Sequence, residues 1–156
     1  MTETEKDCAG MRNIAVISLG SNVRGQRRKN IIEASERLME LTGAAKLAES
    51  LIHPTAPLNP RHRPYLNYVV AIETSPVCDC LSCERLCKQL EKEAGRTPRS
   101  KECGEMPLDV DLLYWNRRMI RPCAVPLPYL VSALSEVILG LKARRENICG
   151  KVERRF

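Results

Sequence analysis

The chain contains few aromatic residues and no long hydrophobic run. Its 156 residues include one Trp, one Phe and four Tyr, too few for the row of stacked side chains to which single-stranded nucleic acid commonly binds. No apolar segment approaches the roughly 18 residues that a transmembrane helix requires. The first residues, Met1 to Asp7, are polar and partly acidic, unlike the start of a secretory signal. These features predict a cytoplasmic protein that binds neither a membrane nor nucleic acid.

The sequence also lacks the common phosphate-binding and zinc-binding motifs. The Gly-Ser-Asn that follows the first apolar run has neither the Gly-x-Gly-x-x-Gly nor the Gly-Lys-Ser/Thr pattern. Four of the eight cysteines fall within ten residues, at positions 78, 80, 83 and 87, but in no paired zinc spacing and without a nearby His. Cys83 and Cys87 are interpreted as small apolar residues on one face of a helix. A structural metal is the less favoured alternative.

The charge balance favours an anionic ligand. The chain carries 25 Lys and Arg against 19 Asp and Glu, a net charge of +6. Basic proteins bind phosphate esters or nucleic acid. Because the aromatic content argues against nucleic acid, we predict a small phosphorylated ligand.

The pattern of apolar residues predicts one α+β domain. Alternating or continuous apolar runs predict strands at 14–20, 46–53, 65–74 and 108–114, and helical periodicity predicts helices at 26–41, 81–94 and 130–143. The order strand, helix, strand, strand, helix, strand is that of the ferredoxin-like split βαβ sandwich, with two helices against one face of an antiparallel sheet. We expect the domain to span 13–145, with flexible tails at 1–12 and 146–156.

Two acids in the last strand are the first candidates for chemistry. Asp109 and Asp111 are two residues apart, so their carboxylates share one face of the strand. Paired carboxylates suit Mg²⁺, whose remaining positions substrate phosphates can fill. From the Asp-x-Asp pattern alone, a strand with an acidic solvent-exposed face is an equally good interpretation.

A set of motifs in fixed order resembles the 6-hydroxymethyl-7,8-dihydropterin pyrophosphokinase family of folate biosynthesis. The resemblance covers about Ile14 to Pro128, and each motif is short. The motifs are Leu19-Gly20-Ser21-Asn22, Thr55-Ala56-Pro57-Leu58, Tyr65-Leu66-Asn67, Leu90-Glu91 before Gly95-Arg96, Pro107-Leu108-Asp109-Val110-Asp111-Leu112-Leu113, and Val125-Pro126.

The resemblance implies an activity and a set of site residues. ATP would donate its β,γ-pyrophosphoryl unit to the hydroxymethyl group of the pterin and release AMP. Two Mg²⁺ ions would be held by Asp109 and Asp111, with Arg96 as a further catalytic residue. The ATP-binding residues would be Lys88, Arg96, Arg99 and Arg121, with Lys101 a chemically suited neighbour. The pterin-binding residues would be Thr55, Leu58, Tyr65, Asn67 and Glu91. We expect a monomer or a weak homo-oligomer.

The sequence departs from the family pattern at four positions. Met106 stands where the family has Arg, Leu127 where it has His, Cys103 where Trp is common, and Ser135 where an aromatic residue is expected. Basic or aromatic substitutes nearby are Arg117, Arg118, Arg121 and Tyr129. These departures leave open a homologue that binds pterin or nucleotide without efficient transfer. Apart from the family, an Asp pair on a ferredoxin-like sheet also leaves open a different two-metal nucleotidyltransferase.

Overall fold

A six-stranded antiparallel sheet forms the centre of the protein. The structure is a computed structural model that describes residues 12–121 and 128–153 of the chain. The strands are β1 Asn13–Ser21, β2 Ala45–Glu49, β3 His53–Thr55, β4 Tyr65–Thr74, β5 Asp109–Trp115 and β6 Arg118–Met119. The helices are α1 Arg27–Thr42, α2 Cys80–Glu93, α3 Ser100–Cys103 and α4 Pro128–Glu153. The strand order is β2-β4-β1-β5-β6, and β3 pairs with the start of β4.

This arrangement confirms the predicted ferredoxin-like α+β fold. The units β1-α1-β2 and β4-α2-β5 interleave, so β1 and β4 lie side by side in the middle of the sheet, with every pair antiparallel. Strand β4 has the bounds predicted from its apolar and aromatic run, Tyr65–Thr74.

The sheet is covered on both faces, which differs from the predicted two layers. Helices α1 and α2 pack on one face through a core that includes Ile17, Val110 and Leu90. Helix α4 packs on the other face against Val69 and Leu113. The reason is in the strands: β1 and β4 are apolar on both sides, as strands covered on both faces are. Helix α4 adds a third layer.

Several element boundaries differ from the sequence predictions. The strand predicted at 46–53 is two strands, because the chain leaves the sheet at Ser50 and pairs again with β4 from His53, so Pro54 lies inside β3. Helix α4 continues past the expected end at Ala143 to Glu153, and the predicted basic tail therefore begins within a helix. All of the predicted N-terminal tail except Arg12 lies outside the described residues.

Two further predictions concern the cysteines and the membrane. Cys83 and Cys87 are buried in the core beneath α2, as predicted for small apolar residues. Among the helices in the described ranges, none has the length and apolar character needed to cross a membrane.

Candidate active site

The site is built on one row of residues across the three central strands. Gly20 of β1 pairs with Asn67 of β4 on one side and with Asp109 of β5 on the other. Directly paired residues on neighbouring strands project from the same face of a sheet. The row therefore places an amide and a carboxylate on the same face, separated by a residue without a side chain.

Gly20 is required because the Asn67 side chain lies over it. A Cβ atom at Gly20 would be 2.7 Å from Asn67 Oδ1 and 3.7 Å from Tyr65 Cδ1. Contacts below 3.0 Å force one of the two groups to move. Asn67 is held in this position by its Nδ2, which donates to Thr55 Oγ1 on β3.

We predict that Gly20→Ala displaces Asn67 and weakens binding of the ligand edge that Asn67 would recognise. Loss of one buried neutral hydrogen bond costs about 1–1.5 kcal/mol, so the dissociation constant of the pterin that the sequence resemblance implies should rise roughly tenfold. Isothermal titration of the variant with 6-hydroxymethyl-7,8-dihydropterin measures this. Gly25→Ala is the matched control, because a Cβ there meets nothing within 4 Å although its φ of +81° adds strain. Equal affinity in Gly20→Ala and wild type would contradict the prediction.

Asp109 and Asp111 project from the same face of β5 and each is paired with an arginine. Arg96 Nη1 donates to Asp109 Oδ1 at 3.1 Å, and Arg121 Nε lies 3.3 Å from Asp111 Oδ1. Burial and the nearby Asp109 charge raise the pKa of Asp111, while Arg121 and Lys88 oppose the rise. The alternation of β5 puts Val110 into the core on the opposite face. The acids are therefore side by side, as predicted, at a position where an added cation would relieve their repulsion.

Arg96 is positioned by the end of helix α2. Gly95 has φ +99°, and this left-handed residue lets the chain reverse so that the Arg96 N–H donates to the Glu91 carbonyl at 3.0 Å. The buried Glu91 carboxylate then accepts at Oε1 from Lys88 Nζ at 3.1 Å and from the Val110 N–H at 3.0 Å, and Arg96 Nη1 lies 2.7 Å away. Glu91 thus ties α2, Arg96 and β5 together.

Two adjoining clefts open around these residues and share Asp109. The smaller one, of about 190 Å³, lies beneath the loop after β3. The larger one, of about 500 Å³, contains Asp111 and most of the basic residues. The smaller cleft is lined by Thr55, Ala56, Pro57, Leu58, Asn59, His62, Tyr65, Asn67 and Asp109. The larger is lined by Asn59, His62, Tyr65, Lys88, Arg96, Lys101, Met106, Asp109, Asp111 and Arg121.

The smaller cleft has one apolar wall and one polar wall. Leu58, which is 74% exposed, and Pro57 lie on the loop side, with the Tyr65 ring and the Asn67 amide on the sheet side. A tyrosine hydroxyl is protonated at neutral pH and can donate a hydrogen bond, and burial and the charge of Asp109 raise the pKa of Tyr65 further. A flat heterocycle with a polar edge fits such a lining.

Most residues predicted from the sequence line one of these clefts, and Glu91 lies beneath the larger one, bonded to Lys88 and Arg96. Arg99 does not line either cleft; it precedes α3 and is exposed.

Of the suggested substitutes, Arg121 lines the larger cleft, whereas Arg118 Nη2 lies 3.7 Å from Cys80 Sγ. Ser135 is exposed on α4 and bonds to the Val131 carbonyl. Leu127 and the motif Val125-Pro126 lie outside the described residues, as does the Tyr129 side chain.

Sequence reasoning missed three residues of the site. The sequence gives Asn22 no role beyond its place in the motif Leu19-Gly20-Ser21-Asn22, yet its buried side chain bonds to segments that border both clefts. His62 and Asn59, in the loop between β3 and β4, line both clefts. The only signal for Asn22 is its place in the Leu-Gly-Ser-Asn motif.

The residues present fit a magnesium ion that is completed by a phosphate ligand. Within residues 12–121 and 128–153, no group of three or more His, Cys, Asp or Glu side chains is arranged to hold a metal alone. Two carboxylates with an open, basic cleft beside them match the sites in which Mg²⁺ is bound by one or two acids, water and substrate phosphates.

Comparison with known proteins gives a consistent result. The family model described as 7,8-dihydro-6-hydroxymethylpterin-pyrophosphokinase (HPPK) matches residues 16–137. The chain is 32% identical over 147 residues to the 2-amino-4-hydroxy-6-hydroxymethyldihydropteridine pyrophosphokinase of Bacillus subtilis (strain 168), covering 92% of this chain and 83% of that protein. It is 33% identical over 115 residues to the folate synthesis bifunctional protein of Arabidopsis thaliana, covering 73% of this chain but only 23% of that protein.

A solved structure of similar type is HPPK-DHPS in complex with substrates, at 17% identity and a TM-score of 0.49, over 67% of this chain and 28% of that one. The chain thus spans less than a third of the bifunctional relatives and most of the Bacillus protein. The family model covers far more than half of the sequence, including most of β1, all of β4 and β5, and both acids. On this basis, the chain belongs to the 7,8-dihydro-6-hydroxymethylpterin-pyrophosphokinase family.

Proposed function

We propose that this chain transfers the β,γ-pyrophosphoryl group of ATP to the hydroxymethyl group of 6-hydroxymethyl-7,8-dihydropterin and releases AMP. The observation that carries the proposal is the meeting of two unlike clefts at Asp109: one sized and lined for a heterocycle, the other lined by acids and cations. A transfer between a heterocyclic alcohol and a polyphosphate needs both kinds of site in contact.

In the smaller cleft, Asn67 and the backbone of the loop from Thr55 to Leu58 would bind the polar edge of the pterin. The Tyr65 ring would lie against the pterin face. The Thr55 hydroxyl fixes the Asn67 amide, and the bare Gly20 leaves room for it. This arrangement would orient the hydroxymethyl group towards Asp109, the acidic residue that lines both clefts.

In the larger cleft, four cationic side chains would bind the triphosphate. They are Lys88, Arg96, Lys101 and Arg121. Arg96 is held by Glu91 and Asp109, so its planar guanidinium is already oriented before phosphate binds. Met106 contributes no charge at the position where the family has arginine. We propose that Arg121 fills that role, because it borders the same cleft and contacts Asp111.

Asp109 and Asp111 would hold the two Mg²⁺ ions proposed for this site. When bound, such ions neutralise charge on the bridging and leaving phosphate oxygens. The chain's own part is to hold the two carboxylates on adjacent same-face positions of a rigid strand, and to place Arg96 and Arg121 beside them.

We also place this activity in the cytoplasm and expect a monomer or weak homo-oligomer. The cysteines at 78, 80, 83, 87 and 103 are free thiols in the described part of the chain, which suits a reducing compartment.

The decisive test is the release of AMP from Mg-ATP with and without the pterin. We expect AMP formation that depends on the pterin, together with a pterin diphosphate product identified by mass spectrometry. Pterin binding without AMP formation would instead support a homologue that only binds its ligands. AMP formation that is independent of pterin would favour a different two-metal transferase. A wild-type assay mixture without the pterin and a mock preparation from cells that lack the expressed protein control for contaminating enzymes.

A further inference from the structure

One glutamate of helix α4 contacts the segment of chain that leads into strand β3. Glu136 Oε2 accepts from the Leu51 N–H at 2.7 Å, and Glu136 Oε1 lies 2.9 Å from His53 Nε2. Because a carboxylate only accepts, Nε2 carries the proton in this contact. Leu51 lies between β2 and β3, and His53 is the first residue of β3. Both oxygens of one side chain therefore hold the start of this strand.

Glu136 has a fixed position because its helix is packed against the sheet. Val137 and Ala133, on the same helix, are fully buried in the cluster that contains Val69 of β4. The side chains of Glu136 and His53 are 33% and 27% exposed, so their contact lies at the edge of this interface. A charge-assisted contact that is partly sheltered from water orients a side chain better than a fully exposed ion pair does.

Strand β3 depends on such a contact because it is short and lies at the edge of the sheet. It has three residues and pairs with β4 among the described strands. A strand of this length forms few hydrogen bonds with its neighbour, and Pro54 has no N–H to donate. The position of β3 along β4 is therefore set in part by the Glu136 carboxylate.

The strand held in this way lies directly beside the amide of the smaller cleft. His53 pairs with Asn67, and Asn67 pairs with Gly20, so the row of residues that forms the site extends to β3. Val69, on the same face of β4 as Asn67, packs against α4, so this is the face that α4 covers. Further along β3, Thr55 Oγ1 accepts from Asn67 Nδ2. A shift of β3 would therefore move the acceptor that orients Asn67.

We infer that Glu136 is a positioning residue for the pterin site, acting from helix α4 through strand β3 on the Asn67 amide. This inference rests on the proposed function, because that function assigns Asn67 to the polar edge of the pterin. No described residue of α4 lines either cleft. Without Glu136, β3 would occupy several positions in the free protein, and pterin binding would have to select one of them, which lowers affinity.

The test compares Glu136→Ala with the conservative variant Glu136→Gln. The alanine variant loses both contacts, whereas the glutamine keeps an oxygen acceptor for the Leu51 N–H and an amide that can bond to His53. In Glu136→Ala we expect the KM and the dissociation constant of the pterin to rise roughly 3- to 10-fold, the effect of one weakened neutral hydrogen bond. The kcat and the KM for Mg-ATP should stay within about twofold of the wild type, and Glu136→Gln should restore the pterin KM to within about twofold.

The separate responses of KM and kcat distinguish positioning from a loss of stability. A partly unfolded variant has fewer active molecules and so a lower kcat, while the folded molecules keep their pterin KM. Glu146→Ala controls for the loss of an acidic charge from α4, because Glu146 is an exposed acid further along the same helix. It should leave kcat and the pterin KM within about twofold of the wild type. An unchanged pterin KM in Glu136→Ala, or an equal rise in Glu146→Ala, would overturn the inference.

The environment of the Asn67 amide can be measured without any ligand. The Nδ2 proton signals of Asn67 in NMR spectra report its hydrogen bond to Thr55. We expect these signals to move in Glu136→Ala towards their positions in a Thr55→Val variant, and to keep their wild-type positions in Glu136→Gln. Wild-type signals in Glu136→Ala would contradict the proposed role.

A second variant keeps the test available if Glu136→Ala does not fold. His53→Ala removes one of the two contacts of Glu136 and should raise the pterin KM roughly threefold. A wild-type pterin KM in His53→Ala would then overturn the inference. An enzyme without pterin-dependent AMP release would refute the proposed function, whereas the Asn67 signals would still decide the role of Glu136.

Discussion

Asp109→Asn and Asp111→Asn are each expected to lower pterin-dependent AMP formation by about 10³-fold, with little change in pterin affinity for Asp111→Asn. An amide keeps the shape of the side chain but is a weaker, neutral metal ligand, and removal of one preorganised electrostatic contact at a reacting centre typically costs 10²–10³ in rate. Steady-state AMP assays at saturating Mg-ATP measure the loss. Isothermal titration with Mg-ATP should show a parallel loss of Mg-dependent binding.

The control for charge near the site is Glu105→Gln. Glu105 is an exposed acid in the loop between α3 and β5 and borders neither cleft. Its substitution should change the rate less than about threefold, as expected for a surface charge screened by solvent. If Asp109→Asn or Asp111→Asn kept wild-type turnover and wild-type Mg-ATP affinity, the acids would be an exposed acidic face of the strand and no part of the mechanism.

The same Asp111→Asn variant is expected to be more stable than the wild type when no metal or nucleotide is present. Burial and Asp109 raise the pKa of Asp111, so the folded state disfavours its charged form. A raised carboxyl pKa lowers the free energy of unfolding once pH exceeds the ordinary pKa of Asp, near 4, and the penalty is full above the raised value. The gain in Tm should therefore be present at pH 7 and absent near pH 3. A lower Tm at pH 7 would show that the Arg121 contact outweighs the burial.

Arg121→Ala should lower kcat/KM for Mg-ATP by roughly 10- to 100-fold. The expected loss is that of one charge-assisted phosphate contact, about 1.5–3 kcal/mol. Arg118→Ala is the matched control, since Arg118 is an arginine of the same segment whose guanidinium contacts Cys80 Sγ and borders neither cleft. Arg121→Lys should lie between the two, because it keeps the charge and loses the planar fork.

A double-mutant cycle with Met106→Arg tests whether Arg121 has taken over the missing charge. Met106 borders the same cleft as Arg121. If both positions serve one phosphate, Met106→Arg should restore much of the activity lost in Arg121→Ala and add little to the wild type. A full gain in the wild-type background, or no recovery in the Arg121→Ala background, would show that the two positions act independently. Unchanged kinetics in Arg121→Ala would remove Arg121 from the mechanism.

Local patterns predicted most of the strands and helices but not the third layer. The run in β4 is almost continuously apolar and aromatic, the run in β5 alternates at its start, and both have turn signals within a few residues, so their predicted bounds are close to those observed. The position of α4 depends on which face of β1 and β4 is left uncovered by α1 and α2, and that is decided only by packing. The interruption at Ser50 was also missed, because Ser50 Oγ replaces a strand bond by accepting from the Val69 N–H at 2.9 Å.

In the candidate site too, local motifs predict some residues, whereas the roles of others depend on the fold. Asp109, Asp111, Tyr65 and Asn67 belong to short motifs, and the structure brings them to one face of the sheet. The role of Asn22 depends on partners 41 and 84 residues away in sequence, which no local pattern contains. In the sequence, Arg121 is one of several basic residues that could replace the arginine missing at Met106. The fold distinguishes it from Arg118, because Arg121 contacts Asp111 whereas Arg118 contacts Cys80.

The row of residues across the three central strands also fixes the distance between the backbones of Asn67 and Asp109, with Gly20 between them. Neighbouring strands lie about 4.8 Å apart, so the backbone positions of Asn67 and Asp109 are roughly 10 Å apart across β1. This separation is fixed by the backbone hydrogen bonds of the sheet and does not change when the loops move. The Asn67 side chain extends over Gly20, so a ligand bound at its amide would have to span the part of this distance that the two side chains leave open. We expect a shorter, single-ring analogue bound at the same amide to hold its hydroxyl farther from Asp109 and to react more slowly.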